Sequence, residues 1–220
     1  MIMKLEPFIR LKMYLIWALF ILVGPADLFA QLPEVVIDDT SLGSETYAWS
    51  SDSIYVLDGL VYLEAGGLLE IEAGTVVKAR QNPTNGDQTS ALIISNGASI
   101  RALGRYLDPI VFTSEFDQPK MNGDLGSSDR GYWGGLIVMG DAAVITNDGD
   151  TVAMQHPALP EDERAQFGMA HEFEPQIILN FVSVRHAGAS GMSGISLAGL
   201  HDEAELDFLE AFACAGDGIE

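Results

Sequence analysis

The residues of this chain best suited to chemistry are its carboxylates. Asp117, Asn122, Asp124 and Asp129 fall in one stretch and Asn147, Asp148 and Asp150 in the next. Calcium takes about six to eight oxygen ligands, so such loops are candidate calcium sites. Neither run has the D-x-[DN]-x-[DN]-G spacing of an EF-hand loop or a glycine-rich nonapeptide repeat, and acidic loops on an acidic chain are more often simply hydrated. No metal or cofactor site is assigned on this basis, and calcium stands as the one candidate ion. Glu210, Asp217 and Glu220 form a second acidic set. An inverting glycosidase needs two carboxylates about 6.5–9.5 Å apart. A chain with 32 acids makes such a pair by chance, and no catalytic residue is assigned.

Bases and nucleophiles are sparser. A polysaccharide lyase needs a Lys or Arg near a bound cation. Arg185 is the single outward base on a strand expected late in the chain, where a solvated structural Arg is the simpler reading. His156, His171, His186 and His201 lie 15 residues apart, which brings no pair within helical i, i+4 reach. His186 reads as the partner of a turn carbonyl. Cys214 reads as a small buried hydrophobe rather than a nucleophile. Trp133, between Arg130-Gly131-Tyr132 and Gly134-Gly135, could stack on a sugar, but a Trp at a loop-to-strand return more often anchors the loop. The glycine-rich AGGLLEIEAG lacks the Lys-Ser/Thr of a phosphate loop.

The elements that must hold these residues are short strands. From residue 54 onward the chain consists of runs of four to six Val, Ile, Leu or Phe punctuated by Gly, Asn or Asp. VYLEAGGLLEI (61–71) aligns with LIISNGASIRA (92–102) at a spacing of 31, and LIVMGDAAV (136–144) repeats the scheme 44 later. TVVKA (75–79) aligns with PIVFT (109–113), and LNFVSVRHAG (179–188) with LDFLEAFACA (206–215) at a spacing of 27. Unequal periods of this kind fit a solenoid whose coils carry insertions. Inward aliphatics such as Val76 and Ile110 then stack in columns, with strands about 4.8 Å apart. Outward residues pair as Asn180 with Asp207, Ser183 with Glu210, and Arg185 with Phe212, the last as a cation over a ring. Gly66, Gly97, Gly140 and Gly199 are expected at positive φ in the turns. LPEDERAQFGMAHEFE (159–174) is the one helix-compatible stretch. A β-sandwich is the alternative, but it does not explain in-register matches at distant spacings.

Residues 1–30 differ from the rest. Lys4, Arg10 and Lys12 precede the apolar run Met13–Val23, which Gly24-Pro25 break. This is the layout of a secretory signal peptide, and the run is shorter than the roughly 20 residues a membrane-spanning helix needs. Cleavage is expected between Ala30 and Gln31, although Leu28 departs from the small-x-small pattern. No Cys follows the run, which excludes a lipid anchor. Of 11 bases and 32 acids, removal of residues 1–30 takes three bases and two acids, leaving 8 against 30. Such a surface does not hold phosphates, so nucleic acid is excluded as a partner. One Cys excludes an intramolecular disulfide.

The strings IEAGTVVKA (71–79), DPIVFTSE (108–115), DRGYWGGLIVMG (129–140), LNFVSVRHAG and LDFLEAFACAGDGIE (206–220) resemble those of secreted bacterial right-handed parallel β-helix proteins, many of which carry a C-terminal sorting domain for type IX secretion. The likeness spans nearly all of residues 55–220. It implies an all-β, right-handed parallel β-helix, exported and mostly without an assigned activity, so no catalytic residue is carried over. Gln155–Glu174 departs from it, being acidic where such chains have a Gly-rich polar loop. The sequence reaches Glu220 inside what reads as a coil turn, with no sorting domain. The expectation is therefore an N-terminal portion of a longer protein, its solenoid incomplete at the C-terminus.

The organisation expected is a signal peptide (1–30), a lead-in or cap (31–53) and coils (54–220) with insertions near 81–90, 115–131 and 146–175. The function expected is a secreted or cell-surface structural, adhesive or glycan-binding module without catalysis in this segment. Its expected partners are extracellular polysaccharide and the export machinery, with no stable membrane span after processing. The alternative is a polysaccharide lyase or glycoside hydrolase whose site lies on coils beyond Glu220.

Overall fold

A computed structural model of the chain describes residues 32–119, 125–145, 147–170 and 175–220. The expected cleavage point Ala30–Gln31 lies outside these residues, as do Asn122, Asp124 and His171. After a lead-in strand β1 (Glu34–Ile37), the first coil comprises β2 (Thr46–Trp49), β3 (Ile54–Leu57) and β4 (Leu60–Leu63). The second comprises β5 (Leu68–Glu72), β6 (Val76–Ala79) and β7 (Ala91–Ile94). The third has β8 (Ser99–Leu103), β9 (Ile110–Ser114) and β10 (Leu136–Met139). A long insertion carries the short strands β11 (Met154–Gln155) and β12 (Gln166–Phe167). Then β13 (Ile177–Arg185), β14 (Ile195–Ala198) and β15 (Glu205–Phe212) form the fourth coil and most of a fifth.

Every pairing between coils is parallel, in three ladders: β2-β5-β8-β13-β15, β1-β3-β6-β9-β13-β15 and β4-β7-β10-β14. The fold is a parallel β-helix with three faces. The first two ladders share β13 and β15 because the corner between them shrinks to one left-handed residue, Phe181 (φ 48°) in β13 and Phe208 (φ 55°) in β15. That conformation is costly for a bulky side chain. The two rings stack at 4.3 Å and 7°, an aromatic contact that offsets part of the strain. Among the described residues no helix is long and apolar enough to cross a membrane.

The interior is a set of columns. Trp49, Ile71, Ala102 and Leu179 stack on one face, Val61, Leu92, Leu136 and Ile195 on another. All but Trp49, at 4%, are at most 2% exposed. The spacings of 31, 44 and 27 recur in the pairs Val61↔Leu92, Leu92↔Leu136 and Leu179↔Leu206. The alignment of 75–79 with 109–113 requires correction by one residue. Val76 pairs with Val111, and Val77 with Phe112. Val76 consequently faces outward, whereas Ile110 points inward above Val182. A slip of one residue exchanges the two faces of a strand. The observed register puts Phe112 in the column of Tyr55, Val77 and Val184 and leaves Lys78 outside beside Thr113.

Two further expectations are corrected. Gly66 and Gly97 have φ of 81° and 80° and Gly199 has 63°, but Gly140 is not among the positive-φ residues. Its need for glycine is steric, since a Cβ there would collide with the carbonyl oxygen of Gly199. The stretch 159–174 is not a helix over its described part. It forms one 3-10 turn, Glu163–Ala165, capped by the Asp162 side chain, followed by β12, which pairs antiparallel with β11.

The third face is buried on both sides. Leu60, Tyr62, Ala91, Ile93, Ile137 and Met139 point outward from β4, β7 and β10, yet none exceeds 9% exposure. Leu159, Ala165 and Phe167 of the insertion pack on them. The insertion is thus a flap laid back over the outer surface of the earlier coils. Burying such an apolar stripe is worth about 25 cal/mol per Å² removed from water, a stronger determinant than the local helix propensity of 159–174.

Candidate functional site

The outward residues named from sequence fall into separate places. Ser183 and Glu210 pair across β13 and β15, and the Ser183 hydroxyl donates to Glu210 at 2.5 Å. Arg185 does not lie over the Phe212 ring as expected. Its Nε donates to Ser183 Oγ at 2.8 Å and its Nη2 lies 3.4 Å from Glu210, while Phe212 meets His186 edge-on at 5.6 Å. A charged partner one coil away offers the guanidinium more than a ring face does. Glu220 accepts from Ser193 at 2.7 Å, on a different face from Glu210.

Several other candidates are engaged in holding loops. His186 Nδ1 lies 2.6 Å from the Asp129 carbonyl oxygen. Asp129 in turn accepts from the Gly126 backbone N–H at 2.6 Å, and Asp117 accepts from the Thr113 hydroxyl at 2.8 Å. Trp133 is fully buried and donates its indole N–H to the Arg185 carbonyl at 2.7 Å. Cys214 is half-buried, and burial pushes its thiol pKa up, away from a nucleophilic thiolate. Among the described residues no group of three His, Cys, Asp or Glu is placed to hold a metal ion.

Among the described residues, His156 and Ser196 make the one contact that resembles a nucleophile with its base, at 3.0 Å. The hydrogen bonds around the ring oppose that role. Nδ1 accepts from the Ala158 backbone N–H at 3.4 Å, so the proton of a neutral ring sits on Nε2, which donates to Ser196 Oγ instead of accepting from it. His156 is 4% exposed, and burial pushes its pKa down. The pair is a latch that fastens the flap to β14.

A second latch is Arg164. Its Nη1 and Nη2 reach both oxygens of Asp39 at 2.8 and 3.0 Å, and its Nε and Nη2 reach Asp162 at 2.8–3.2 Å. Glu64 lies 3.8 Å away, and the guanidinium sits 4.2 Å above the Tyr62 ring. The two aspartates raise the Arg164 pKa, and Arg164 lowers that of Asp162. Burial, with the Asp162 charge, pushes the Tyr62 phenol up to about 12.

Between these latches the flap does not close fully on the coils. An open cleft of about 360 Å³ remains, at the small end of ligand-site volumes, which run from about 300 to 1,000 Å³. Its floor is the corner after β4 and β7, with Ala65, Ser95 and Asn96, and its roof is flap residues including Glu163, Gln166, Phe167 and Met169. Two floor atoms are buried without a hydrogen-bond partner, Ser95 Oγ and Asn96 Oδ1. The Asn96 amide is fixed in orientation, because its Nδ2 donates to the Met169 carbonyl at 2.8 Å. Oδ1 is therefore left as a buried acceptor without a partner. Both atoms are covered from solvent, as are the other atoms without a hydrogen-bond partner among the described residues, on Thr89, Arg101, Asp141 and Asn180. From sequence, Ser95-Asn96-Gly97 reads only as a turn. The signal that could have singled it out is Ser-Asn where the coil above has Glu64-Ala65.

A family model described as a pectate-lyase like beta helix domain matches residues 42–220. No curated protein and no solved structure matches the chain. The match covers most of the chain and every coil of the solenoid, and the chain belongs to the pectate-lyase-like beta-helix domain family.

Proposed function

We propose that the protein is an exported β-helix that binds glycan, at the cell surface or in the medium, without cleaving it. The observation that carries the reading is the cleft between flap and coil corner, whose lining combines Phe167 with the polar Ser95, Asn96, Glu163 and Gln166. Protein sites for sugars combine polar groups that fix orientation with an aromatic side chain that covers a ring face. Binding is favoured over catalysis because two of the groups that could move a proton are committed elsewhere. Arg185 is held by Ser183 and Glu210, and His156 carries its proton toward Ser196 in a closed site. Residues 1–30 support export through a cleaved signal peptide, and the resemblance of residues 55–220 to secreted β-helix proteins supports the same address, type IX secretion included. Intact mass of the exported protein tests this part, and an N-terminus at Gln31 is the expected result.

The family match favours a second reading, a polysaccharide-active enzyme, since its description is of a pectate-lyase-like domain. One experiment separates the two. The protein is incubated with a panel of polysaccharides, with and without millimolar calcium, and retention is measured beside new reducing ends and unsaturated uronates. Retention without either product is expected. Either product, from any member of the panel, overturns the binding-only reading, and neither retention nor product overturns both.

A further inference from the structure

Two Asn-Gly pairs lie among the described residues, Asn85-Gly86 and Asn96-Gly97, in opposite surroundings. In such a pair the glycine nitrogen stands within reach of the preceding side-chain amide, and no Cβ on the glycine hinders its approach. Asn85 and Gly86 are both exposed, in the loop between β6 and β7. The Gly86 N–H has no hydrogen-bond partner among the described residues, and a Cβ built on Gly86 would meet no atom within 4 Å. The neighbouring amide is primed for attack. Asn85 Oδ1, where negative charge gathers as the nitrogen adds, accepts from the Asp87 backbone N–H at 3.0 Å. Asn85 Nδ2, the nitrogen that must leave, donates to Asp87 Oδ2 at 2.8 Å. Asn96-Gly97 is built the other way. Its Nδ2 is held by the Met169 carbonyl at 2.8 Å, and its Oδ1 is buried with no donor to stabilise a developing charge. The turn itself is locked, with Gly66 N–H on the Gly97 carbonyl at 2.8 Å and Ala98 N–H on the Ser95 carbonyl at 2.9 Å.

We infer that Asn85 is a site of self-modification, converting in the folded protein to aspartate and isoaspartate, while Asn96 is protected. The Gly86 nitrogen bonds to Asn85 Cγ and gives up its proton. The Cγ–Nδ2 bond breaks, and the side-chain nitrogen leaves as ammonia with that proton. Water then opens the succinimide, at Cγ to give aspartate or at the backbone carbonyl to give isoaspartate. Nothing is oxidised or reduced, and water is the one co-reactant. The loop then loses part of its fastening. Asp87 Oδ2 also accepts from the Leu60 backbone N–H at 2.7 Å, where β4 begins. Either product replaces the donor beside Asp87 with a second carboxylate, and the like charges repel. Because residue 85 lies outside the strand ladders, the coils stay paired while the loop loosens. The same change at Asn96 would fall inside a coil turn.

The test holds the full chain in mildly alkaline buffer, folded in one sample and unfolded in urea in another. Peptides containing residues 85 and 96 are followed over weeks by mass spectrometry, with isoaspartate scored separately from aspartate. In the folded chain Asn85 is expected to convert at least about tenfold faster than Asn96, and in urea the two rates should agree within about threefold. Isoaspartate at residue 85 identifies the ring intermediate, since direct hydrolysis of the side-chain amide yields aspartate alone. Asn85→Asp reproduces one product and should melt below the wild type, by a difference that shrinks at high salt. Conversion at Asn85 no faster than at Asn96 in the folded chain overturns the inference, as does aspartate without isoaspartate. A rate at Asn85 that exceeds Asn96 equally in urea assigns the difference to local sequence and overturns the protection of Asn96 by the fold. An Asn85→Asp protein that melts with the wild type overturns the loosening of the loop.

Discussion

Ser95→Ala should make the protein more stable. Ser95 is 3% exposed and its Oγ is buried without a partner among the described residues. An unpaired buried polar group costs about 1–3 kcal/mol. Alanine keeps the Cβ and deletes only the orphan, so the gain should be about 1–2 kcal/mol, or a melting temperature higher by roughly 2–6 °C for a chain of this size. Ser90→Ala is the matched control on the adjoining turn. Ser90 is also buried, but its Oγ accepts from the Gly59 backbone N–H at 3.0 Å, so its removal strands a buried donor and should cost about 1–3 kcal/mol. Calorimetry of both variants, with urea denaturation as a second measure, reads the two signs. A melting temperature that is unchanged or lower in Ser95→Ala would show that Oγ is already satisfied and refute this reasoning.

Three further expectations concern the flap and the coils. His156 is neutral and buried, with a folded pKa below the ordinary 6.5, so the unfolded chain binds the extra proton. Its contribution is complete above pH 6.5 and falls on acidification, by at most about 1.4 kcal/mol at pH 5.5. His156→Gln keeps a donor toward Ser196 without titrating, so between pH 6.5 and 5.5 the wild type should lose stability more steeply than the variant; equal slopes would refute a buried neutral His156. Arg164→Lys keeps the charge but loses the two-pronged contacts to Asp39 and Asp162, so limited proteolysis should cut the flap faster than in wild type while the coils stay intact. Cleavage at the wild-type rate would remove Arg164 from the fastening. Gly140→Ala should destabilise by about 1–3 kcal/mol through its clash with the Gly199 carbonyl, and a neutral effect in denaturation would mean that the two coils can part there.

Much of the solenoid is legible in the residues, for a physical reason. Gly66 over Gly97 fixes a register that the alternating Leu69, Ile71 and Ile100, Ala102 then repeat, and the observed pairs follow it. The pairing of 75–79 with 109–113 slips by one because both strings carry apolar residues on both faces, so hydrophobicity alone does not set parity. Lys78 does. Aligning it with Phe112 would have placed that ring outside, and the observed partner is Thr113.

The flap was not legible, although its imprint was. LVYL, ALII and LIVM are apolar at every position, and a strand with one wet face is not. That pattern requires a cover on the outer side, but no local feature says that 159–167 supplies it. Leu159, Ala165 and Phe167 are spaced for docking on β4, β7 and β10 rather than for a helix stripe. The cleft is further from view. Ser95 and Asn96 are ordinary turn residues until a segment some 70 residues later roofs them, and Asn96 becomes specific only through its bond to Met169.

The central claim is that glycan binds in the cleft between flap and coil corner, and hydrogen–deuterium exchange of the full chain with and without a bound neutral oligosaccharide tests it most directly. Slower exchange at Ser95–Gly97 and at Gln166–Ala170, with the rest unchanged, is the expected result. Protection centred instead on Ser183–Arg185 and Glu210 would place the ligand on the outer face of the coils and contradict the assignment.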